Sequence, residues 1–443
     1  MNDSLLPTHF ESLYPEESRF EEIEKILAFI KEGKSTEIIS APGAGRSNLL
    51  GLLAYNHAVK NKHLGENQKW FHFVYWNFSE VKKRSFLDVT KFIFLSLIDS
   101  LRDRKMLDEH DRLRQIFKDH LEYKDELVLF QGLKEAIDFL SIEKELTIIF
   151  LFDQFEQYIP DVSPSFFENL RILRNRAKYR FSTVFSLTRP LEELIEGSVL
   201  SSFYEFIGDH HVYLTLIDKP GFEFRLAYLE KITGKKIAKE LIDKIVFLTG
   251  GHGKLTKLSE EIVLSENLPK QIEEKKLIDF LLSKRTISQV LLEIWNSLIP
   301  NEQQALANRE SNKYLENVSL LKNGKIAIPL LETFIKNEGK KIRNDEFYFD
   351  DKTKEIRKGD QVISDKLTSL EYKLLSFLLA NKDSIVNREE IIKAVWSETS
   401  STAGVTDQAV DQLVSRLRKK IEEDSNKPIF IQTIKGRGIK FSD

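Results

Sequence analysis

A glycine-rich segment near the N-terminus has the residue types that bind phosphate. Residues 40–47, SAPGAGRS, lie between a short apolar run, EIIS, and an apolar stretch of helical character that starts near Ser47. Glycines let backbone N–H groups approach phosphate oxygens, and the first turn of the following helix adds unpaired N–H groups and the positive end of its dipole. The predicted phosphate-binding residues are Pro42, Gly43, Ala44, Gly45, Arg46, Ser47 and Asn48.

This segment departs at two positions from the P-loop pattern GxxxxGK[ST]. It keeps Gly45 and Ser47, but Ser40 stands in place of the first glycine and Arg46 in place of the lysine. Arg46 keeps the positive charge as a planar fork rather than a compact ammonium, so the sequence favours nucleotide binding over fast turnover. Whether the site is a slow ATPase stays open, and a glycine-rich turn without a ligand is the alternative.

A second group of polar residues follows a buried apolar run farther along the chain. The run LTIIFLF ends at Asp153, and Gln154 and Glu156 come soon after it. A carboxylate at the tip of a buried strand can hold the water shell of a metal ion, and a second carboxylate, Glu156, or the amide of Gln154 can polarise an attacking water. We therefore expect Mg²⁺ to be held by Ser47 and Asp153, and we expect Glu156 to act in catalysis with Asp153.

The elements that must position these groups alternate along the chain. From residue 37 to about 190, the short apolar runs EIIS, FHFVYWNF, LTIIFLF and FSTVFSL alternate with longer helical stretches, which predicts a parallel sheet wrapped by helices. From about 206 to 338 the apolar spacing is mostly helical. From about 345 an alternating stretch precedes three helical segments and a final pair of strands, which indicates a separate small domain.

Composition limits the classes of protein that fit. A chain of 443 residues predicts roughly three domains, and 66 basic against 69 acidic residues predict no bulk affinity for nucleic acid or acidic lipid. The apolar runs are too short to cross a bilayer, and the N-terminus lacks the pattern of a signal peptide. Zero cysteines exclude disulfides and thiolate metal sites. We therefore expect a cytoplasmic protein.

The segments APGAGRS, FDQFEQY, FSTVFSLTRP and FLTGGHGKL resemble the STAND branch of the AAA+ P-loop ATPases, over roughly residues 15 to 285. The resemblance implies an α/β P-loop NTPase with a helical lid, and ATP and Mg²⁺ as cofactors. By position it implies that Thr188 and Arg189 sense the γ-phosphate. It also implies that His252, in a turn where Gly253 replaces the family's proline, lies near the nucleotide.

Two further segments resemble parts of the same family. SRFEEIEKIL, with Arg19 and Phe20, is similar to the N-terminal element on the adenine side. The basic helix LRILRNRAKYR contains Arg174 and Arg176, which are candidates for an arginine finger acting on a neighbouring subunit, although such a helix is more often simply a solvated or subunit-facing surface.

The C-terminal part contains a helix with a polar outer face and a basic turn. Between about Thr406 and Ile421, apolar residues fall on one stripe at helical spacing, and polar side chains suited to base edges lie opposite. The closing segment PIFIQTIKGRGIKF reads as two strands joined by a short basic turn. In KLTSLEYKLLSFLL, Thr368 and Glu371 form a predicted capping box, and Asn387 starts the next predicted helix.

This region resembles the OmpR/PhoB-type winged helix over about residues 345 to 443, including that family's N-terminal four-stranded sheet. The resemblance implies that the third helix enters the major groove and that the wing meets the backbone or the minor groove. A domain that mediates only protein contacts is the alternative. The implied base-facing residues are Gln408, Gln412, Ser415 and Arg416, and the implied DNA-backbone contacts are Trp396, Arg418, Lys419, Lys435 and Arg437.

Between lid and winged helix, the sequence predicts three short helices and a Gly-turned strand pair, which fit a degenerate winged helix that couples the nucleotide state to the DNA reader. The predicted domains are thus residues 1–205 (P-loop NTPase core), 206–285 (helical lid), 286–342 (degenerate winged-helix coupler) and 343–443 (α+β winged helix-turn-helix). The preferred function is a nucleotide-regulated transcriptional regulator. The alternatives are a DNA-remodelling or origin-binding AAA+ ATPase and a STAND-type stress or immune sensor. Expected partners are double-stranded DNA and ATP or ADP, with a homo-oligomer left open and no membrane.

Overall fold

The computed structural model divides the chain into two compact units, residues 1–332 and 333–443, which are described separately below. It describes residues 9–442 except 201–202, 267, 270, 346, 351–352, 359–360, 383, 397–405, 423 and 426, and only the backbone of 338–345 and 350. Within those residues, no helix has both the length and the apolar character that crossing a membrane requires.

A five-stranded parallel sheet forms the centre of the first unit. Its strands lie in the order β2-β3-β4-β1-β5. The four apolar runs of the sequence form β1 to β4, which confirms the predicted sheet, whereas β5 was missed because a strand of three residues shows no periodicity. The strands are β1 (Thr36–Ile39), β2 (Phe71–Asn77), β3 (Thr147–Asp153), β4 (Phe181–Leu187) and β5 (His211–Tyr213).

Helices on the sheet bury an aromatic core that fixes the tip of β3. Phe152 and Phe155, on either side of Asp153, are fully buried and pack against Phe78 and Phe185 with ring centroids about 5 Å apart. The helices that lead up to β5 are α1 (Phe20–Lys31), α2 (Arg46–Tyr55), α3 (His57–Leu64), α4 (Phe86–Asp103), α5 (Leu107–Leu121), α6 (Glu126–Asp138), α7 (Pro164–Arg176), α8 (Leu191–Leu194), α9 (Gly197–Leu200) and α10 (Tyr204–Ile207).

The rest of the first unit is mostly helical, as the apolar spacing predicts. The structure also has the three helices α15 to α17 and, after them, a hairpin whose turn contains Gly324. The elements are α11 (Lys219–Thr233), α12 (Lys239–Thr249), α13 (Gly253–Glu266), α14 (Glu274–Leu282), α15 (Arg285–Asn296), α16 (Pro300–Asn308), α17 (Lys313–Asn317), β6 (Leu321–Lys322), β7 (Lys325–Ile326) and α18 (Pro329–Asp345), the last of which runs on into the second unit.

The second unit is an α+β domain. An antiparallel sheet, β10-β9-β8, precedes three helices and a second sheet, β11-β13-β12. The described residues of the first sheet form three strands where the family resemblance implied four. Both predicted helix starts are confirmed, since Thr368 with Glu371 and Asn387 with Glu390 form capping boxes. The elements are β8 (Phe347–Asp350), β9 (Glu355–Lys358), β10 (Gln361–Val362), α19 (Ser369–Ala380), β11 (Ile385–Val386), α20 (Arg388–Val395), α21 (Asp407–Ile421), β12 (Ile431–Ile434) and β13 (Gly438–Phe441).

Candidate functional site

The glycine-rich loop has a geometry that suits phosphate. It joins β1 to α2, and Gly43 and Gly45 adopt φ angles of 80° and 112°, which L side chains rarely adopt. Within the described residues, the backbone N–H groups of Gly45, Arg46 and Ser47 have no hydrogen-bond acceptor. Because α2 begins at Arg46, these N–H groups also lie at the positive end of its dipole. The loop can therefore offer several donors to one anion.

Three successive carbonyls of this loop are bound by other parts of the chain. Pro42 O accepts from His252 Nε2 at 2.8 Å, Gly43 O from Lys254 N at 3.0 Å, and Ala44 O from Arg19 Nη2 at 2.8 Å. The structure thus brings the lid turn onto the P-loop, as the resemblance implied for His252. It also brings Arg19 there. The loop is held from outside while its N–H groups stay available.

His252 is neutral in this position. It is fully buried, and burial lowers its pKa to about 4. Its Nδ1 accepts from Leu255 N at 3.3 Å, so the proton is on Nε2, which donates to Pro42 O. A side chain on Gly43 would place its Cβ 2.9 Å from His252 Cε1. The close approach of loop and lid therefore depends on glycine at this position.

Arg46 connects the ends of two strands. Its Nη1 donates to Ser40 O at 2.7 Å, after β1, and to Leu187 O at 2.5 Å, at the end of β4, while Nη2 lies 3.8 Å from Glu156 Oε2. Burial lowers the pKa of Arg46, and the neighbouring charges of Glu156 and Asp153 oppose that shift. The guanidinium is thus bound to strand ends and to Glu156.

The tip of β3 is tied to its neighbours through both carboxylates. Asp153 is almost fully buried; its Oδ2 accepts from Tyr75 Oη at 2.7 Å and its Oδ1 from Gln154 N at 3.0 Å. Gln154 has a φ of 53°, a left-handed conformation that is uncommon for a residue with a side chain. Glu156 accepts from the backbone N–H of Thr188. The structure therefore brings Arg46, Asp153, Glu156 and Thr188 together at one edge of the sheet.

Arg189 points into the segment that follows the lid. Its guanidinium binds both carboxylate oxygens of Glu302 on α16, donates to Ser297 O at 3.1 Å and lies 4.4 Å from the ring centroid of Tyr314. Tyr314 Oη in turn donates to Thr188 O at 2.8 Å. Hydrogen bonding to Glu302 raises the pKa of Arg189. The two predicted γ-phosphate sensors are thus both bound to the predicted coupler.

Sequence reasoning missed Tyr75, Glu302 and Tyr314. Glu302 carries a local signal, because its carboxylate also caps α16 by accepting from Ile299 N at 3.1 Å. That signal points to a helix start and not to Arg189, which is 113 residues away in the sequence. Its burial, at 4% exposure, is the feature that distinguishes it from an ordinary capping residue.

The candidate arginine finger Arg174 is an incorrect prediction. Its side chain is buried, donates twice to Gly33 O and lies 3.9 Å from the ring centroid of Phe206. Arg176 pairs with Asp138. Arg174 therefore joins α7 to the turn before β1 and to α10, and its guanidinium is not available to a neighbouring subunit.

The third helix of the second unit presents the predicted polar face. The apolar stripe is confirmed, since its five members are buried in the core of this unit, and the side chains opposite are exposed. The buried residues are Val410, Leu413, Val414, Leu417 and Ile421. The exposed ones are Gln408, Gln412, Ser415, Arg416 and Lys419.

The wing is a tight basic turn between β12 and β13. Lys435 and Arg437 are exposed there, and Gly436 has a φ of 72°. Gly438 is required by packing, because a Cβ on it would lie 2.1 Å from Val386 O. Arg418, assigned to the DNA backbone by resemblance, instead binds β12, the strand that leads into the wing, with Nε 2.9 Å from Ile431 O and Nη2 2.9 Å from Thr433 Oγ1.

Trp396, the remaining implied contact to the DNA backbone, follows the last residue of α20. Its indole is half-buried and packs against the core of this unit. The next residues, 397–405, lie outside the part of the chain that the structure describes.

Comparison with known proteins agrees with this geometry. Residues 364–441 match the family model for the C-terminal domain of transcriptional regulatory proteins. Response regulator GtcR of Aneurinibacillus migulanus is 35% identical over 88 residues, 20% of this chain and 34% of GtcR. The transcriptional regulatory protein YkoG of Bacillus subtilis is 30% identical over 160 residues, 35% of this chain and 68% of YkoG. The chain belongs to this family of transcriptional regulatory proteins.

Other members of the transcriptional regulatory family match a smaller share of their length. The alkaline phosphatase synthesis transcriptional regulatory protein PhoP of Bacillus subtilis is 34% identical over 128 residues, which are 28% of this chain and 50% of PhoP. The chain thus spans about a third of GtcR and half of PhoP.

Among solved structures, the RstA DNA-binding domain of Klebsiella pneumoniae in complex with the RstA box is 24% identical, with 22% of this chain and 90% of that chain covered and a TM-score of 0.19. The Walker-type ATPase paby2304 of Pyrococcus abyssi is 13% identical, and the match covers 75% of this chain and 99% of that chain with a TM-score of 0.46.

Proposed function

We propose that this family member is a cytoplasmic transcriptional regulator whose P-loop unit binds ATP with Mg²⁺ and thereby controls how the C-terminal winged helix engages double-stranded DNA. The DNA-binding part is supported by the family match and by the exposed polar face of α21. The control by nucleotide is supported above all by one contact, the buried pair of Arg189 and Glu302.

The residues at the sheet edge fit a nucleotide and its metal. The free N–H groups of Gly45, Arg46 and Ser47 suit phosphate oxygens, and Ser47 is exposed. Ser47 and Asp153 would hold Mg²⁺, whose charge offsets that of the phosphates. Tyr75 fixes the orientation of Asp153 by its hydrogen bond. Domain boundaries and membership of the STAND branch stay predictions.

The pair of Arg189 and Glu302 explains how nucleotide state would reach the coupler. A ligand shifts a conformational equilibrium only through its different affinities for the two states. A γ-phosphate competes with Glu302 for the guanidinium of Arg189, whereas a diphosphate leaves that pair undisturbed. The α16 segment would therefore be bound in the ADP state and released in the ATP state.

The winged helix would supply the DNA contacts. Gln408, Gln412, Ser415 and Arg416 carry amide, hydroxyl and guanidinium groups that can bond to base edges in a major groove. Lys419, Lys435 and Arg437 would contact phosphates, which makes binding steeply dependent on salt. Arg418 would act through the wing, since its guanidinium is bound to β12.

A selection followed by gel-shift titration tests the proposal. Duplexes selected from a random DNA pool by the purified chain are titrated with protein in ATP and Mg²⁺, in ADP and Mg²⁺, and without nucleotide. We expect DNA affinities in ATP and ADP to differ by at least about fivefold. Failure to select any duplex would refute DNA binding, and equal affinities in all three conditions would refute control by nucleotide.

A matched variant and a second assay separate the remaining functions. Glu302→Gln should still bind DNA but lose the difference between ATP and ADP. Phosphate release is measured in parallel with and without DNA. Hydrolysis that DNA stimulates and that Asp153→Ala abolishes would favour a DNA-remodelling ATPase instead.

A further inference from the structure

The outer edge of the parallel sheet is open along β2. This strand of seven residues pairs over its whole length with β3 and forms one margin of the sheet. In such a strand the backbone N–H and C=O of one residue point to the same edge, and this edge alternates from one residue to the next. Phe71 O accepts from Arg104 Nη1 on the side away from β3. The backbone N–H and C=O groups of Phe73 and Tyr75 therefore also point away from β3. Ile148 N donates to Arg180 O on the β4 side, so the ladder between β3 and β2 uses the even-numbered residues of β2. Within the described residues, the backbone N–H and C=O groups of Phe73 and Tyr75 have no partner outside that ladder.

A groove of about 980 Å³ follows this open edge. The odd-numbered residues of β2, from Phe71 to Asn77, form its floor. Tyr55 and Lys60 line it from the α2 and α3 side, and Phe92 and Arg104 from the α4 side. Ligand sites in proteins typically measure about 300–1,000 Å³, with apolar walls and a few polar groups. The groove is distinct from the P-loop, none of whose residues lines it.

Two cations at the Phe71 end of the groove have no acidic partner. Lys60 Nζ donates to Ala54 O at 2.7 Å, and Arg104 donates to backbone carbonyls, but neither forms an ion pair within the part of the chain described. Burial, and then the charge of Arg104, lower the pKa of Lys60 to about 8. His72 beside them is neutral, because burial lowers its pKa to about 3. Two neighbouring desolvated cations favour an anionic ligand.

The acidic residues on the walls do not neutralise this pair. Asp99 is paired with Arg102 at 2.9 Å, and no ion pair joins Glu66, Glu80 or Asp103 to Lys60 or Arg104 in the described structure. Glu109, whose charge also acts on Arg104, is paired with Lys144 at 2.8 Å. The groove therefore combines an open strand edge, aromatic walls and, at one end, two cations that take part in no ion pair within the described residues.

We propose that this groove binds a short peptide as an added strand, antiparallel to β2, with its C-terminal carboxylate on Lys60 and Arg104. The antiparallel direction places the last residue of the peptide beside the first residue of β2, where Arg104 lies. The peptide backbone pairs with Phe73 and Tyr75, and its apolar side chains pack against Tyr55 and Phe92. Strand addition obtains affinity from backbone hydrogen bonds and selectivity from pockets for alternate side chains.

Enrichment from random peptide pools tests the proposal, since it needs no candidate sequence. Random hexapeptides, synthesised once with a free C-terminal carboxylate and once as amides, are passed over the immobilised full chain, and retained peptides are measured by mass spectrometry. We expect retention of the free-carboxylate pool to exceed that of the amide pool about tenfold, because a charge-assisted contact is lost in the amide. Equal retention, or none, would overturn the proposal.

Two variants and their matched controls locate the contact. Lys60→Gln and Arg104→Gln should each lower retention of the free-carboxylate pool about fivefold or more. Lys62→Gln, on the same helix as Lys60, and Lys91→Gln, on α4, replace cations that are paired with Glu16 and Asp88 outside the groove lining, and they should change nothing. Thermal denaturation shows which variants stay folded. If Arg104→Gln unfolds, the retention measured with Lys60→Gln alone tests whether these cations bind the carboxylate.

Hydrogen exchange distinguishes an added strand from other occupants. An enriched peptide should slow exchange of the backbone amides of Phe73 and Tyr75. Unchanged exchange with binding that benzoate displaces would instead show a site for small carboxylates. His9 is one of the residues that line the groove. Binding seen only after deletion of residues 2–8 would show that this N-terminal segment competes with the peptide. Either result would overturn the proposal.

Discussion

The two candidate sites differ in how their charged residues are used. At the P-loop edge the charged or titratable groups Arg46, Asp153, Arg189 and His252 are buried or half-buried and bound to other side chains or to the backbone. On α21 and the wing, Arg416, Lys435 and Arg437 are exposed. To bind a ligand, the groups at the P-loop edge must give up internal partners, whereas the groups on α21 and the wing can bind DNA without rearrangement. A conformational change on ligand binding is therefore expected at the first site, and direct DNA recognition at the second.

The contact between Arg189 and Glu302 should show the largest effect of a single change. Removing Glu302 takes away the buried partner of Arg189 and leaves only the exposed carboxylate of Glu193, 3.2 Å from Nη1, so Glu302→Ala should lower the free energy of unfolding by about 3 kcal/mol. Denaturant titration of the full chain, followed at the tryptophans, measures it. Glu316→Ala, which removes an exposed carboxylate from α17, is the control. A loss no greater than in this control would show that the sensors are not bound internally.

Charge reversal at the wing should affect DNA binding alone. Replacing Lys435 and Arg437 by glutamate should weaken binding about a hundredfold and reduce the salt dependence by roughly two counterions, because two phosphate contacts are lost. Fluorescence anisotropy at several salt concentrations measures both quantities. Lys427→Glu, at the other end of β12, is the matched control. A change in thermal stability of the first unit would contradict the separation of the two sites.

A smaller effect is expected at the proposed metal ligand. Asp153→Asn keeps the shape of the side chain and the bond from Tyr75 but removes a negative charge. Affinity for ATP in the presence of Mg²⁺ should fall about tenfold, while affinity in EDTA should stay nearly constant. Isothermal titration calorimetry in both conditions makes the comparison. An equal loss in both would mean that Asp153 supports the fold and does not act through a metal.

The smallest effect concerns pH. Burial raises the pKa of Glu260, on α13, to about 7, so the folded state keeps a proton that the unfolded state releases. The stability of the first unit should therefore fall as pH rises from about 4.5 to 7 and stay lower above that. At pH 8, Glu260→Gln should raise the free energy of unfolding by roughly 1 kcal/mol relative to the parent chain, and at pH 5 it should have little effect. Thermal melts at both pH values decide, and identical profiles for the variant and the parent chain would contradict the assignment.

The sequence predicts elements and faces well where the pattern is local. The apolar runs gave β1 to β4, and helical spacing gave the buried stripe of α21, because burial imposes a period on each element. Capping boxes at Thr368 and Asn387 are equally local.

Partners that come from distant parts of the chain were not predictable in this way. Arg174 and Arg418 look like surface cations in sequence, yet one packs on Phe206 and the other on β12. The same holds for Arg189, whose residue type and position agree with a phosphate sensor while its partner Glu302 lies on another helix. Periodicity specifies which face of a helix is buried, but it does not specify what a buried arginine meets there.

The grip on the P-loop carbonyls from His252, Lys254 and Arg19 has a thermodynamic consequence. A loop already ordered in the free protein loses its conformational entropy during folding and not on association with a nucleotide. More of the interaction free energy of a triphosphate then remains for work elsewhere, such as separating Arg189 from Glu302. If His252→Ala made the loop less ordered, part of that free energy would be used to order residues 40–47. The difference between the effects of ATP and ADP would then be lost at a smaller destabilisation than nucleotide binding itself.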